Sequence, residues 1–285
     1  MQTQRVSRLT PYLLLAPALA FMAVFFAYPM VEALGLAFTD RTGAFSLVNF
    51  ETMVRDLNFG PALTTTLLLI VIIIPIQFVI AMAMALLVQA KLKGAGAFLY
   101  VYAIPIAISE LAAGIVWYTV FTNRGYLNSL LVTTGALEVP FPFLGFQSRG
   151  WLLLAVVLAE AWRATSIMMV IFVAGLQSIP NEMTEAAEVF GAGLWNRVTK
   201  VILPLLKPSL QVALILRTIL AFQVFGTALA IAGSGLKLLA GETYTWYDAN
   251  RNPNVAAAYA IVIMVLSVAA TVVFLVGLRT KYAEA

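Results

Sequence analysis

Residues 9–31 run for 23 positions without a charged side chain, and five further long apolar segments follow them. Crossing the hydrocarbon core of a bilayer takes about 20 such residues as a helix. Inside hydrocarbon each backbone polar group must be satisfied within its own segment, so stretches of this kind are read as helices. Composition agrees, with 62% hydrophobic and 11% charged residues, against about a quarter charged in an ordinary soluble domain. The expected fold is all-α: a polytopic membrane protein with about six transmembrane helices, spanning roughly 9–38, 62–88, 97–121, 151–177, 208–232 and 255–278 of one domain, 1–285. Arg5 and Arg8 ahead of the first stretch imitate a secretory signal, but its apolar run exceeds the roughly 7–15 residues of a signal core, so it is expected to be retained. Pro75 and Pro105 predict local kinks in the second and third spans.

Cysteine and histidine are both absent. Disulfides, thiol nucleophiles and imidazole ligands or proton shuttles are thereby excluded. The basic residues carry the orientation, because positive loops stay cytoplasmic. With the N-terminus inside, Arg5, Arg8, Lys91, Lys93, Arg197, Lys200, Lys207, Arg279 and Lys281 lie on the cytoplasmic side, nine against six outside: Arg41, Arg55, Arg124, Arg149, Lys237 and Arg251. The outer six are matched by Asp40, Glu51, Asp56, Glu138, Glu242 and Asp248; the inner nine face Glu182, Glu185, Glu188 and Glu284. The net charge of +4 therefore reflects topology. No basic stripe with interleaved aromatics occurs, so nucleic acid is not an expected partner.

This topology puts residues 180–204 in the cytoplasm, between the fourth and fifth spans. Pro180 suits the first turn of a helix, and Asn181 to Phe190 follow as a short helix, acidic at its start as the dipole favours. Gly191 and Gly193 permit the turn that ends it. A second short helix is expected over Leu194 to Lys200, with Arg197 and Lys200 near its end, and Pro204 and Pro208 mark the bend into the next span. Small Ala186 and Ala187 leave one flank slim enough for close approach by another protein. The plain alternative is an amphipathic connector lying on the headgroups.

Spacing separates the two. Glu185-Ala186-Ala187, three residues, Gly191, nine residues, then Val201-Ile202-Leu203-Pro204 resembles the EAA loop of ABC importer permeases, with Val201 where that pattern prefers Ile. The resemblance covers nearly the whole chain. Pro11 to Ala18 with Tyr28-Pro29 and Ala37-Phe38-Thr39-Asp40, Ala174 to Pro180, and Leu216-Arg217-Thr218 with Ala221 to Phe225 are similar to the first permease subunit of carbohydrate importers of the maltose, trehalose and glycerol-phosphate type. Gly226 and Gly233-Ser234-Gly235-Leu236 depart from that group's usual Asp and Gly-Gly-Gly-Pro. The resemblance implies half of a translocation pore and a cytoplasmic coupling helix-turn-helix whose contact residues are Glu185, Ala186, Ala187, Gly191, Leu203 and Pro204. It implies a second homologous permease subunit, two cytoplasmic ATPase subunits and an extracytoplasmic substrate-binding protein as partners. The expected substrate is a sugar, an α-linked disaccharide such as trehalose or maltose. The chain holds no Gly-x-x-x-x-Gly-Lys-Ser/Thr loop, so it is expected to be no enzyme and to bind no cofactor, with ATP and magnesium on the partner ATPase. The expected location is the cytoplasmic membrane, multi-pass, with both termini inside.

Charges within spans are the other functional signal, since each costs about 2.5–3.5 kcal/mol at a helix centre on insertion scales. Glu110 lies midway along the expected third span, Glu160 and Arg163 in the fourth, and Arg217 in the fifth. Glu160 and Arg163, three apart, share a helix face; a structural pair and direct substrate contact both remain open. A second pair, Glu110 with Arg217, is expected across helices. The resemblance adds Trp162, Arg163 and Ile167, with Arg217, Leu220 and Gln223, as residues near the translocation path. Trp117 and Tyr118 are further aromatic candidates, although aromatics near span ends commonly anchor at headgroups. The same carboxylates motivate a rival reading, a proton-coupled secondary transporter using Glu110 or Glu160, weakened by the lack of an internal repeat.

Overall fold

In a computed structural model the described residues are 10–40, 42–90, 93–145 and 147–279. Arg5, Arg8, Arg41, Lys91, Lys281 and Glu284 of the charge count lie outside them. Among the described residues the secondary structure is helical, with one isolated antiparallel bridge between Thr39 and Phe45. In chain order the helices are α1 (Tyr12–Ala37), α2 (Val48–Arg55), α3 (Phe59–Gln89), α4 (Ala95–Ala103), α5 (Glu110–Phe121), α6 (Tyr126–Thr133), α7 (Arg149–Gln177), α8 (Asn181–Val189), α9 (Leu194–Phe222), α10 (Gly226–Ala232), α11 (Leu239–Asp248) and α12 (Pro253–Gly277).

Five of these, α1, α3, α7, α9 and α12, are long and apolar enough to cross a membrane, and the bent pair at α4 and α5 brings the candidates to six. That is the expected all-α polytopic fold, with three corrections. The third span is not continuous from 97 to 121. After α4 the chain passes through a 3-10 turn, Ile104–Ala107, and restarts at Glu110, with a bend of 103° between the two parts. Pro105 sits in that turn, and the Ser109 hydroxyl accepts from the Ala112 amide at 3.2 Å to cap the new helix. Pro75, by contrast, lies inside α3 without ending it. The fifth span is also interrupted: α9 stops at Phe222, and α10 begins at Gly226. Finally, the second loop helix does not stop at Lys200. It runs through a π turn, Val198–Ile202, directly into α9 past Pro204 and Pro208.

The chain divides into two compact units, one reaching to Asp56 and including Thr243–Val262, the other comprising Leu57–Glu242 and the residues from Ile263. In the first, the side-chain amide of Asn49 donates to the carbonyls of Leu36, Ala37 and Thr39 at 3.3, 3.0 and 2.8 Å, and that of Asn254 donates to those of Leu36 and Thr39 at 2.9 Å each. These satisfy carbonyls left open by the end of α1. Asp40 then accepts from the Thr42 hydroxyl and amide, which holds its carboxyl below the usual range. Asp56 accepts from the Trp246 indole and the buried Tyr259 hydroxyl, each at 2.8 Å.

The second unit is built around α3, α7 and α9. At one level Ala81, Met82 and Ala85 of α3 pack with Met168, Met169, Phe172 and Leu176 of α7 and Leu206, Leu210 and Ala213 of α9. At another, Leu69 and Ile73 of α3 and Ala155, Val156 and Ala159 of α7 meet Phe121, Phe143, Ala228 and Ile231. Small residues recur at these contacts, as they do where helices must approach without a hydrophobic drive between them.

Candidate functional site

Two places carry chemistry that packing alone does not require. The first is the segment joining α7 to α9. Pro180 stands just ahead of α8 in extended conformation (φ −57°, ψ 134°), one position earlier than first-turn placement. At the other end the Gly191 amide donates to the Glu188 carbonyl at 2.8 Å and the Ala192 amide to the Ala187 carbonyl at 2.9 Å, with Gly191 at φ +77°. This is the Schellman arrangement, in which the left-handed residue is normally glycine. Glu188 also forms an ion pair with Arg197 across the turn, a contact the sequence reading missed.

Glu185, Ala186 and Gly191 are exposed and Ala187 half-buried. Phe190 is 90% exposed and Trp195 78%, close to Met183, Val189 and Leu194, also exposed. Apolar surface of this extent in a turn between charged residues is the kind that a partner covers. The closing Val-Ile-Leu-Pro stretch anchors the element: Ile202 is buried in the α3–α7–α9 core, Leu203 is packed against it, and Pro204 is exposed. A cleft of 530 Å³ opens beside it, lined by Gln89, Gln177, Pro180, Asn181 and Glu182 among others.

The second place lies at the middle of the spans. Arg163 is the central residue of α7. Its Nε and Nη2 donate to Glu160 at 3.3 and 3.2 Å, and Nη2 also donates to Glu110 at 3.1 Å. Glu160 has no exposed surface, and its Oε2 also accepts from Arg217 Nη2 at 2.9 Å. Arg217 is equally buried, and its Nε donates to Gln77 Oε1 at 2.7 Å. Gln77 in turn donates to the Glu160 carbonyl at 2.8 Å, and the Thr227 hydroxyl donates to Glu160 Oε1 at 2.7 Å. Arg217 Nη1 is buried with no hydrogen-bond partner among the described residues.

The expected pair of Glu110 with Arg217 is therefore corrected. Glu110 goes to Arg163, and Arg217 goes to Glu160. The reason is the break in the third span, which moves Glu110 from mid-helix to the first turn of α5. There its second oxygen accepts from the amides of Phe225 and Gly226 at 3.4 and 3.2 Å, at the other break. Gly226 suits that contact, because a Cβ there would lie 2.9 Å from the Cβ of Glu110. Both interrupted spans are thus tied to one chain of four charges.

The remaining candidates are spread around it. Trp162 is 39% exposed and meets Trp117 with ring centroids 6.4 Å apart. Ile167 and Leu220 are half-buried. Gln223 is not inside an apolar helix as expected but is exposed at the cap of α9. Arg217 has no surface to offer a ligand. Sequence reasoning missed Gln77 and Thr227. The signal for Gln77 was present in the sequence, a lone amide within the apolar stretch of α3.

A family model described as "Binding-protein-dependent transport system inner membrane component" matches residues 77–278. The chain is similar to the trehalose transport system permease protein SugA of Mycobacterium tuberculosis, 32% identical over 282 residues, which cover 96% of this chain and 89% of that protein. It is 30% identical over 278 residues to the sn-glycerol-3-phosphate transport system permease protein UgpA of Agrobacterium fabrum, covering 93% of each. Among solved structures it superposes with a TM-score of 0.79 on a chain of a bacterial ABC transporter involved in the import of the acidic polysaccharide alginate, at 19% identity and 95% coverage of both chains.

Proposed function

Because the chain belongs to the family of binding-protein-dependent transport system inner membrane components, we propose that it forms half of the translocation pore of an ATP-driven carbohydrate importer. Its partners in this reading are a second, homologous permease, two cytoplasmic ATPase subunits and an extracytoplasmic binding protein. ATP hydrolysis belongs to the ATPases, and this chain transmits their motion. The substrate is an oligosaccharide, with an α-linked disaccharide first, in keeping with the trehalose permease among its relatives.

One observation carries the coupling part. The spacing from Glu185 to Pro204 falls on a capped, exposed helix, a glycine turn and an anchored second helix, with Phe190 and Trp195 presented outward. A partner gripping that surface can bias a two-state pore only if it holds the two states differently. Closure of the ATPases would displace α8 and the start of α9 as a lever, exchanging an inward-open pore for an outward-open one. The proton-coupled carrier is not favoured: Glu160 is held by two guanidiniums and a hydroxyl, and Glu110 by one guanidinium and two amides.

The test is uptake by the complete importer in proteoliposomes supplied with ATP and binding protein. Replacing Glu185 by Ala, or Gly191 by Val, should abolish uptake while both variants still insert and assemble. At Gly191 a side chain would be held in the left-handed region, at roughly 1–2 kcal/mol. Unchanged uptake in both variants would end the coupling assignment.

A further inference from the structure

At mid-span the four charges are not equally hidden. Glu110 keeps 32% of its side chain exposed and Arg163 13%, whereas Glu160 and Arg217 keep none. At the buried end the hydrogen bonds measure 2.7–2.9 Å: Thr227 to Glu160, Arg217 to Gln77, Gln77 to the Glu160 carbonyl, and Arg217 to Glu160. At the open end Glu110 accepts at 3.1, 3.2 and 3.4 Å. The bonds from Arg163 to Glu160, at 3.2–3.3 Å, join the two ends. The network has a closed end at Glu160 and Arg217 and an accessible end at Glu110.

An exposed carboxylate at this depth is a poor neighbour for lipid, which offers it neither hydrogen bonds nor a counter-charge. It fits a wet path or a polar ligand. A carboxylate offers about four acceptor positions, and among the described residues three bonds reach that of Glu110. Arg163 commits Nε and Nη2 to carboxylates, leaving Nη1 without a hydrogen bond among the described residues. Trp162, next in sequence, is 39% exposed and touches Trp117, which lies two turns from Glu110 along the same face of α5. A spare acceptor and a spare donor thus adjoin, with the exposed indole of Trp162 next in sequence to Arg163. A pyranose ring needs that combination, with neighbouring hydroxyls that both donate and accept and an apolar face to lay on an aromatic.

We infer that Glu110 reads hydroxyls of the transported sugar and that this patch selects neutral sugars over anionic ones. The inference deepens the carbohydrate reading above and rests on it. The four charges sum to zero, and the most exposed of them is negative. A phosphate or carboxylate entering the patch meets Glu110, while Arg163 is already shared between two carboxylates. Repulsion of that kind is a means of rejecting a wrong ligand. A hydroxyl donating to the same oxygen instead gains a charge-assisted hydrogen bond.

The experiment is equilibrium binding of radiolabelled trehalose to the assembled transporter of both permeases and both ATPases, with unlabelled trehalose or trehalose 6-phosphate as competitor. In the unmodified transporter the phosphate ester should compete about tenfold more weakly than trehalose, the effect of one like-charge contact. Glu110→Gln should narrow that difference to about threefold or less, and Glu110→Asp should keep it. A phosphate ester that competes as well as trehalose, or a difference unchanged in Glu110→Gln, overturns the inference. Should Glu110→Gln fail to assemble, the unmodified transporter and Glu110→Asp decide, and loss of the difference in either overturns it. An importer that takes up sugar on ATP yet shows no difference sinks this inference alone. One that neither binds nor moves either sugar removes the carbohydrate reading as well.

Discussion

Glu160 holds two guanidiniums at once, Arg163 one turn away on its own helix and Arg217 from α9, with both ends of the second pair fully buried. Removing one member of such a pair strands the other, typically at about 3–5 kcal/mol, whereas replacing both by apolar residues can be near neutral. Arg217→Met should therefore lower the melting temperature of the detergent-solubilised complex strongly, and the Glu160→Met, Arg217→Met double variant should recover part of the loss. Heating followed by size-exclusion chromatography reads this directly; a double variant no better than the single would show that the pair is not the stabilising unit. Gln77→Leu should cost less, about 1–3 kcal/mol, by leaving Arg217 Nε without its acceptor. The pairing of Glu160 with Arg163 was legible in the sequence because helical geometry alone brings residues three apart together. The partner of Arg217 was not, since it depends on which faces of α7 and α9 meet.

At the scale of elements, hydropathy finds apolar stretches but averages over the breaks inside them. Residues 97–121 carry a single charge, Glu110, in a mostly apolar run, so they read as one span. What marks the break is local chemistry: Pro105 in the turn and Ser109 capping the restart. The end of the fifth span was misread for the same reason, with Gln223 and Gly226 flanking its gap. The turn at Gly191 was legible because a left-handed helix stop leaves a glycine behind. The contact of α5 with α10 was not, being a matter of close approach: a Cβ at Gly114 would come 2.6 Å from the Ala230 Cβ and 2.9 Å from the Thr227 carbonyl oxygen. Gly114→Ala should force the two short helices apart and destabilise the complex by about 1–3 kcal/mol. The same thermal assay, compared with Gly60→Ala where nothing lies within 4 Å of an added Cβ, separates crowding from helix propensity; equal effects at both positions would count against the close contact.

For the whole molecule, the number and order of apolar helices were visible in composition and spacing, while the side on which each loop lies rests on the distribution of Lys and Arg. The absence of cysteine makes that orientation directly measurable. Single cysteines at Phe190 and Leu137, reacted with a membrane-impermeant maleimide in intact cells and in inverted vesicles, should label on opposite sides, Phe190 from the cytoplasm and Leu137 from outside. Labelling of Phe190 in intact cells would reverse the proposed topology. Every described side chain of α1 from Tyr12 to Ala33 is exposed, so that helix can be stable only against lipid or another subunit. The unbroken course of α9 has a further bearing. Trp195 and Arg217 sit on one continuous helix 22 residues apart, about 33 Å at 1.5 Å per residue, with the π turn, Pro204 and Pro208 between them. Torque applied at the lower end therefore arrives at the buried guanidinium as a shared rotation, and a single residue inserted midway would throw the two ends about 100° out of phase.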